Sequence, residues 1–136
     1  METSISAVLL YSLVVGAILV YLPFLAVGLG RLQVGYDYQA PRAMLDKLPP
    51  FAKRATWAHQ NAFESFILYA PAAIMAYVTG VNSSWAFWAV ILYLVARSLY
   101  PVFYIANIAP ARSLMFALGS LSIWTLYGLS VIAVNS

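Results

Sequence analysis

The chain contains no cysteine, a single histidine and only four acidic residues. The absence of cysteine excludes a disulfide framework, a thiolate metal site and a cysteine nucleophile. With His59 as the only imidazole, a histidine-based metal site is not expected. Charged residues make up 8% of the 136 residues and hydrophobic residues 64%. This composition is typical of a membrane protein and excludes an ordinary soluble domain.

Four long hydrophobic runs account for most of the chain. They predict helices near residues 5–29, 50–78, 84–107 and 111–134, in a single membrane domain over residues 1–136. A helix that crosses a bilayer needs about 20 apolar residues. The joints near residues 79–83 and 108–110 are short, which favours antiparallel neighbours. The predicted fold class is therefore all-α, an integral membrane four-helix bundle with antiparallel up-down topology.

Local signals predict where the first two helices begin and bend. Ser4 is placed to cap the first helix, and Pro23 is expected to kink it. Pro50 suits the first turn of the second helix. The first three residues carry no positive charge, and the apolar stretch over residues 5–29 is too long for the core of a signal peptide. We therefore expect the first helix to be retained.

Basic residues are distributed unevenly among the connections. The first connection carries most of the Lys and Arg side chains and Arg112 lies at the third, whereas the second connection and both termini carry none. The positive-inside rule then places the first and third connections in the cytoplasm and both termini outside. The short loops favour a bacterial inner membrane. The net charge of +3 follows from this bias and gives no reason to expect nucleic acid as a partner.

Arg97 is the one charged residue in the apolar stretch from Trp85 to Ile108. A guanidinium at that depth costs roughly 2.5–3.5 kcal/mol unless it has a partner or faces a wet cavity. Tyr93, Tyr100 and Tyr104 share its face of the helix and make one polar stripe. An interfacial tyrosine belt would explain Tyr93 alone, but it does not explain an arginine aligned with hydroxyl groups through the span.

Glu64 is the only carboxylate in a hydrophobic run, and it shares a helix face with Asn61. In a structural interpretation, Glu64 pairs with Arg97 while Asn61 bonds another helix. In a functional interpretation, some of these groups also hold a polar ligand. The two interpretations are compatible, because a carboxylate held by an arginine can still accept a hydrogen bond from a ligand ammonium group.

Further candidates lie near the predicted helix ends. Arg112 and Ser113 open the predicted fourth helix, where they either reflect the positive-inside bias or form an anion site with free backbone N–H groups. Arg31, at the end of the first helix, is either a topology anchor or a ligand. We expect His59 to be interfacial and solvated.

Taken in order, these motifs resemble the MAPEG superfamily, the membrane-associated proteins of eicosanoid and glutathione metabolism. The resemblance covers the whole chain, including the number of helices and the loop lengths. It implies a four-helix membrane bundle assembled as a homotrimer, with glutathione bound between subunits near the cytoplasmic side. The motifs that carry it are Arg54-Ala55 with His59-Gln60-Asn61-Ala62-Phe63-Glu64, then Ala96-Arg97-Ser98-Leu99-Tyr100 with Tyr104, then Arg112-Ser113.

The resemblance also implies roles for individual residues. Asn61 and Glu64 match residues that hold the polar groups of glutathione, and Tyr100 and Tyr104 match third-helix ligands. Arg112 matches an arginine placed to stabilise the glutathione thiolate. The remaining matches are Ser113, the serine neighbour of that arginine; Arg31, a first-helix arginine near the ligand; and Arg97, an intramembrane arginine.

The function implied by the resemblance is a glutathione-dependent membrane transferase or peroxidase with a role in detoxification. An arginine-stabilised thiolate of the co-substrate glutathione would attack a lipophilic electrophile or hydroperoxide. Several eicosanoid-making members carry further arginines where this chain has Trp57 or Gln60. This departure favours general conjugation or peroxide reduction over eicosanoid synthesis.

The alternative is a non-enzymatic membrane scaffold or small transporter with a structural buried Glu–Arg pair. Small multidrug exporters also have four helices, but their functional carboxylate lies in the first helix. The predicted first span of this chain contains no carboxylate. This disfavours an exporter and leaves the scaffold open.

Overall fold

The fold is known from a computed structural model that describes residues 4–136. Within that range the chain forms five α helices and no strand. The first three residues, whose lack of positive charge argued against a signal peptide, lie outside the described range. The elements are α1 (Ile5–Tyr21), α2 (Phe24–Gln33), a 3-10 helix (Pro41–Lys47), α3 (Pro50–Val78), α4 (Ser84–Ile105) and α5 (Ala109–Asn135). The all-helical prediction is confirmed, and the four-helix bundle stays a prediction.

Pro23 divides the first apolar run into two helices. Proline has no N–H to donate to the carbonyl four residues earlier, and its ring crowds the preceding turn. The carbonyl of Leu19 instead accepts from Leu22 N–H at 3.3 Å. The second half of the run continues past the predicted end at residue 29 as far as Gln33. Arg31 therefore lies within α2 and not in the following loop.

The predicted signals at the other helix ends are also found. The Ser4 side chain accepts a hydrogen bond from Ala7 N–H at 3.2 Å, which caps α1. Pro50 occupies the first turn of α3. Gly80 and Asn107 follow α3 and α4 with positive φ angles of 68° and 61°, a conformation that ends helices in a tight turn. These turns place α3 beside α4 and α4 beside α5.

α3 is the central helix, because it contacts α1, α2, α4 and α5. Small side chains let its neighbours approach closely, as is common between membrane helices. At Gly30 of α2, an added Cβ would overlap the Cβ of Ala52. The buried alanines of α3 are Ala52, Ala55, Ala58, Ala62, Ala72, Ala73 and Ala76.

Three helical segments are long and apolar enough to cross a membrane: Ile5–Gln33, Ser84–Ile105 and Ala109–Asn135. Large apolar side chains such as Ile18, Trp88 and Trp124 are exposed along them, and a bilayer would cover these side chains. α3 is not among these segments. Its 29 residues nevertheless span about 43 Å. The protein is therefore a membrane protein, and a crossing by α3 stays a prediction.

Candidate functional site

Arg97 is buried between helices, with 5% of its surface exposed. Its Nη2 donates to Asn61 Oδ1 on α3 at 3.0 Å. The amide nitrogen of Asn61 in turn lies 3.5 Å from Glu64 Oε2, at the long limit for a hydrogen bond. The structure thus brings the three predicted residues together, but Arg97 reaches Glu64 through Asn61 and not by a direct ion pair. An amide suits this position because it accepts from the cation and donates to the carboxylate.

The Arg97 side chain is held from two further directions. Its guanidinium carbon lies 4.2 Å from the ring centroid of Tyr100 on the same helix, within the range of a cation–π contact. On α5, Gly119 is buried, and a Cβ added there would lie 3.4 Å from Arg97 Cδ. Sequence reasoning missed Gly119, although a glycine inside a predicted helix was a usable signal.

Aromatic contacts connect Arg97 and Tyr100 to the start of α5. Tyr100 and Tyr104 meet edge to face, with ring centroids 5.7 Å apart. The guanidinium carbon of Arg112 lies 4.6 Å from the Tyr104 ring centroid. Six predicted residues therefore form one connected set across α3, α4 and α5. We call it the polar cluster, and its members in contact order are Glu64, Asn61, Arg97, Tyr100, Tyr104 and Arg112.

The start of α5 differs from the prediction. The helix begins at Ala109, so Arg112 and Ser113 lie after its first three residues. The backbone N–H of Arg112 donates to the carbonyl of Ile108 at 3.0 Å and is not free to bind an anion. Ser113 is exposed. The anion site expected here is thus limited to the Arg112 guanidinium, the Ser113 hydroxyl and the N–H groups of Ala109 and Ala111.

Tyr93 belongs to the polar stripe of α4 but lies outside the polar cluster. It is 2% exposed and stacks on Tyr69, with ring centroids 3.6 Å apart. Its hydroxyl lies 3.4 Å from Ser65 Oγ, and the Tyr69 hydroxyl donates to Ser12 Oγ at 2.6 Å. The interfacial-belt interpretation of Tyr93 is therefore wrong. Sequence reasoning also missed the buried Tyr69–Ser12 bond, because no pattern along the chain pairs these positions.

Arg31 and His59 lie in a different part of the fold. Arg31 lines a cavity of about 630 Å³ between α2, the 3-10 helix and α3, and no member of the polar cluster lines this cavity. A single chain therefore does not bring Arg31 to the other predicted ligands. His59 is half-buried, and its Nδ1 lies 2.7 Å from the carbonyl oxygen of Val20. His59 therefore has a backbone partner in the fold, and its contact with solvent stays a prediction.

The α3 face that carries Glu64 is open in the single chain. Glu64 is exposed, and so are Trp57 and Leu68 on the same face. In the polar cluster Asn61, Tyr104 and Arg112 are half-buried, whereas Arg97 and Tyr100 are buried. This set of acceptors, donors and charges of both signs matches a polar ligand that carries both an ammonium group and an acidic group.

These features define the class of protein: an all-helical membrane protein with a cluster of polar side chains between its helices. The family model described as MAPEG family matches residues 8–132, nearly the whole chain. The chain belongs to the MAPEG family, as the motifs predicted. Comparison with curated proteins and with solved structures gave no match. Membership of the family supports a membrane role related to glutathione or to eicosanoid metabolism in general.

Proposed function

We propose that this chain is a glutathione-dependent membrane transferase or peroxidase that acts on lipophilic electrophiles or hydroperoxides. The observation that carries the proposal is the polar cluster itself. Six residues that match family motif positions, and that range from Asn61 to Arg112 in the sequence, are joined by consecutive contacts.

The cluster supports a division of roles along the ligand. Glu64 supplies the acceptor for the ammonium group of glutathione, and Asn61 bonds its neighbouring polar atoms. Arg97 acts on the ligand through Asn61, since its Nη2 already donates to the Asn61 side chain at 3.0 Å. Tyr100 and Tyr104 lie between this end and Arg112. The thiol would then lie near Arg112, with the Ser113 hydroxyl as a further donor.

Arg112 is the group proposed to activate the thiol. A free thiol has a pKa of about 8.5 and is mostly protonated at neutral pH. Lowering that pKa by about two units requires roughly 2.7 kcal/mol of preferential stabilisation of the thiolate. A guanidinium that rests on the face of Tyr104 (4.6 Å to the centroid) keeps its charge and its donors available for this task. No nucleophile from the protein is needed.

Two reactions of the thiolate are included in the proposal. In conjugation, a sulfur–carbon bond forms as the electrophile loses its leaving group or an epoxide opens, and a proton neutralises the released anion. In peroxide reduction, the thiolate attacks the outer oxygen, the oxygen–oxygen bond breaks, and the alkoxide takes up a proton to become an alcohol. The resulting glutathione sulfenic acid reacts with a second glutathione to give the disulfide and water.

The open face of α3 supports assembly of several copies. Glu64, Trp57 and Leu68 are exposed in one chain, and a carboxylate facing hydrocarbon is costly. A neighbouring subunit that covers this face would shelter Glu64 and enclose the ligand. We therefore propose a homotrimer, the assembly that the resemblance implies. Chemical crosslinking in the membrane, followed by mass measurement, tests it, and a monomer would contradict it.

A crossing by α3 is part of the same proposal. This helix packs against both α1 and α5, which belong to candidate spans, so it shares their membrane environment. Four crossings put both termini outside and the basic first connection in the cytoplasm. Because the native chain has no cysteine, single cysteines can report sidedness. Lys47→Cys should react with an impermeant maleimide only from the cytoplasmic side, and Ser83→Cys only from the other.

The decisive experiment separates thiolate formation from binding. Purified protein is titrated with glutathione and with S-methylglutathione, which has no thiol to ionise. Arg112→Leu should lose the ultraviolet absorbance of the bound thiolate and the activity towards chlorodinitrobenzene and cumene hydroperoxide. It should bind S-methylglutathione almost as well as the wild type does. An unchanged thiolate absorbance would remove Arg112 from the mechanism, and Lys53→Leu is the matched control for loss of one positive charge.

A second experiment tests Glu64 and the scaffold alternative together. The wild type should bind glutathione more tightly than an analogue without the α-amino group, because only glutathione offers an ammonium group to the carboxylate. Glu64→Gln should abolish this preference, whereas Asp46→Asn, in the 3-10 helix, should keep it. If millimolar glutathione (a binding free energy of about −4 kcal/mol at 1 mM) gives no calorimetric signal, the non-enzymatic scaffold is favoured.

A further inference from the structure

Arg54, near the start of α3, holds the end of α4. Its Nε donates to the carbonyl oxygen of Ile105 at 2.9 Å, and Ile105 is the last residue of α4. The last four carbonyl groups of a helix have no partner within it. In α4 the first three of these accept from backbone N–H groups of the turn at residues 106–108. The fourth accepts from Arg54, so this side chain completes the hydrogen bonding of the helix end.

Ile105 is fixed from a second direction as well. Its side chain packs against a buried apolar cluster formed by Val27, Leu48, Ala52 and Ala55. The carbonyl group and the side chain of one residue are thus both bound to the part of the fold where α3 begins. Ile105 therefore cannot move relative to α3 without losing one of these contacts.

The turn that follows Ile105 leads directly to Arg112. Only residues 106–108 separate α4 from α5, and Asn107 has a φ of 61°, the left-handed conformation that makes this turn tight. The N–H of Arg112 donates to the carbonyl of the last turn residue at 3.0 Å. Its guanidinium rests on the ring of Tyr104, the neighbour of Ile105 in α4, at 4.6 Å to the centroid. A displacement of Ile105 would therefore move both sides of this contact.

Two physical effects of Arg54 make different demands on its side chain. A cation near the C-terminus of α4 is favoured by the helix dipole, and its charge would attract an anion nearby. A hydrogen bond to Ile105 needs only an N–H donor. The donor is Nε, the nitrogen of the side chain nearest the backbone, so the bond ties the end of α4 closely to α3. Arg54 is half-buried, and without its donor the carbonyl group of Ile105 loses its partner.

We propose that Arg54 is a positioning residue for the thiolate site: its hydrogen bond to Ile105 fixes the turn between α4 and α5 and so keeps Arg112 on the face of Tyr104. The donor, and not the charge, has this role. The consequence for the thiol rests on the proposed function, which assigns stabilisation of the thiolate to Arg112. The hold on the turn does not depend on glutathione and can be measured without it.

Three substitutions separate the donor from the charge. Arg54→Met removes both. Arg54→Gln removes the charge but keeps an N–H donor, because the amide nitrogen of glutamine takes the same place along the side chain as Nε of arginine. Lys53→Met is the matched control, since it removes a positive charge from the preceding position, which is likewise half-buried.

The first measurement is the mobility of the turn in the full chain without glutathione. Because the native chain has no cysteine, a nitroxide label on Ala106→Cys, at an exposed position, reports on this turn alone. Arg54→Met should make the label more mobile in its electron paramagnetic resonance spectrum. Arg54→Gln and Lys53→Met should leave the spectrum unchanged. An immobile label in Arg54→Met would overturn the inference, and so would a label equally mobile in Arg54→Gln.

The second measurement is the pH at which bound glutathione is half ionised, followed by the absorbance of the thiolate. Arg54→Met should raise this midpoint by roughly one pH unit, which is about tenfold less thiolate at a pH below both midpoints. Binding of S-methylglutathione should stay within about twofold of the wild type. Arg54→Gln should restore the wild-type midpoint. Equal midpoints for Arg54→Met and Lys53→Met would contradict the proposal, and equal midpoints for Arg54→Met and Arg54→Gln would show that the charge acts directly.

A double substitution tests whether Arg54 acts through Arg112. In an Arg112→Leu background, Arg54→Met should raise the midpoint no further, because the effects of residues joined in one set of contacts do not add. A second full shift would show that Arg54 acts on the thiol by another route and would overturn the inference.

The two measurements also distinguish this inference from the proposed function. If the wild type forms no thiolate, the proposed function fails, and the mobility of the label alone decides whether Arg54 holds the turn. If Arg54→Met does not fold, Arg54→Gln decides, because a mobile label or a raised midpoint in that variant contradicts a role for the donor.

Discussion

Enlarging the side chain at Gly119 tests whether Arg97 organises the polar cluster. A Cβ at this position would lie 3.4 Å from Arg97 Cδ, a distance at which a small shift restores ordinary contact. Gly119→Ala should therefore fold well, since alanine favours a helix over glycine by roughly 1 kcal/mol. Gly119→Leu places further atoms where the Arg97 stem lies, and the guanidinium must move away from Asn61.

The expected magnitude follows from the hydrogen bond that is lost. Arg97 Nη2 lies 3.0 Å from Asn61 Oδ1, and a hydrogen bond to a charged group contributes about 1.5–3 kcal/mol. Without it the Asn61 side chain is free to turn, and ligand binding must restore its orientation. The affinity for glutathione should then fall by roughly 10- to 150-fold in Gly119→Leu.

Calorimetric titration with glutathione measures the change in affinity. Thermal unfolding in detergent measures the change in stability separately. Gly128→Leu is the matched control, because Gly128 lies on the same helix and no side chain or neighbouring backbone comes within 4 Å of an added Cβ. It should keep the wild-type affinity. Equal affinities for the two leucine variants would refute the idea that Arg97 orients Asn61 for the ligand.

Two further predictions concern buried hydrogen bonds outside the polar cluster. His59→Phe should lower the free energy of unfolding by about 1–3 kcal/mol, because the carbonyl of Val20 at the bend between α1 and α2 loses its donor; an unchanged melting temperature would contradict this. Tyr69→Phe should cost about 0.5–1 kcal/mol, since it keeps the stacked ring but removes the bond to Ser12. Tyr77→Phe, at an exposed position of the same helix, should cost less, and a larger loss there would argue against the buried bond as the cause.

The members of the polar cluster were predictable because polar and charged side chains are uncommon inside apolar helices. An arginine inside an apolar run must be sheltered, and helical spacing shows which tyrosines share its face. The same reasoning identified Asn61 and Glu64 on α3. It failed to identify Asn61 as the residue that lies between Arg97 and Glu64, because spacing along one helix does not determine the rotation of its neighbour. Contact distances across α3 and α4 depend on that rotation.

Arg31 shows more clearly that a position in the sequence does not determine which residues surround it in the fold. Its position at the end of an apolar run is visible in the sequence, and the family resemblance relates it to the ligand. The path of the chain after α2 determines its surroundings, because residues of the 3-10 helix line the cavity together with residues of α2 and α3. The bend at Pro23 was predictable, but the compensating bond from His59 to Val20 was not. This bond joins residues 39 positions apart.

The sequence alone determined that this protein is helical, that it belongs in a membrane, and that a few polar side chains must find shelter between helices. Composition and periodicity suffice for these conclusions, since burial of apolar surface and backbone hydrogen bonding depend on local pattern. Only the tertiary structure decided which polar groups meet. It joined Arg97 to Asn61 beside Gly119 and placed Arg31 in a separate cavity, because small residues and tight turns set how closely and at what rotation the helices pack.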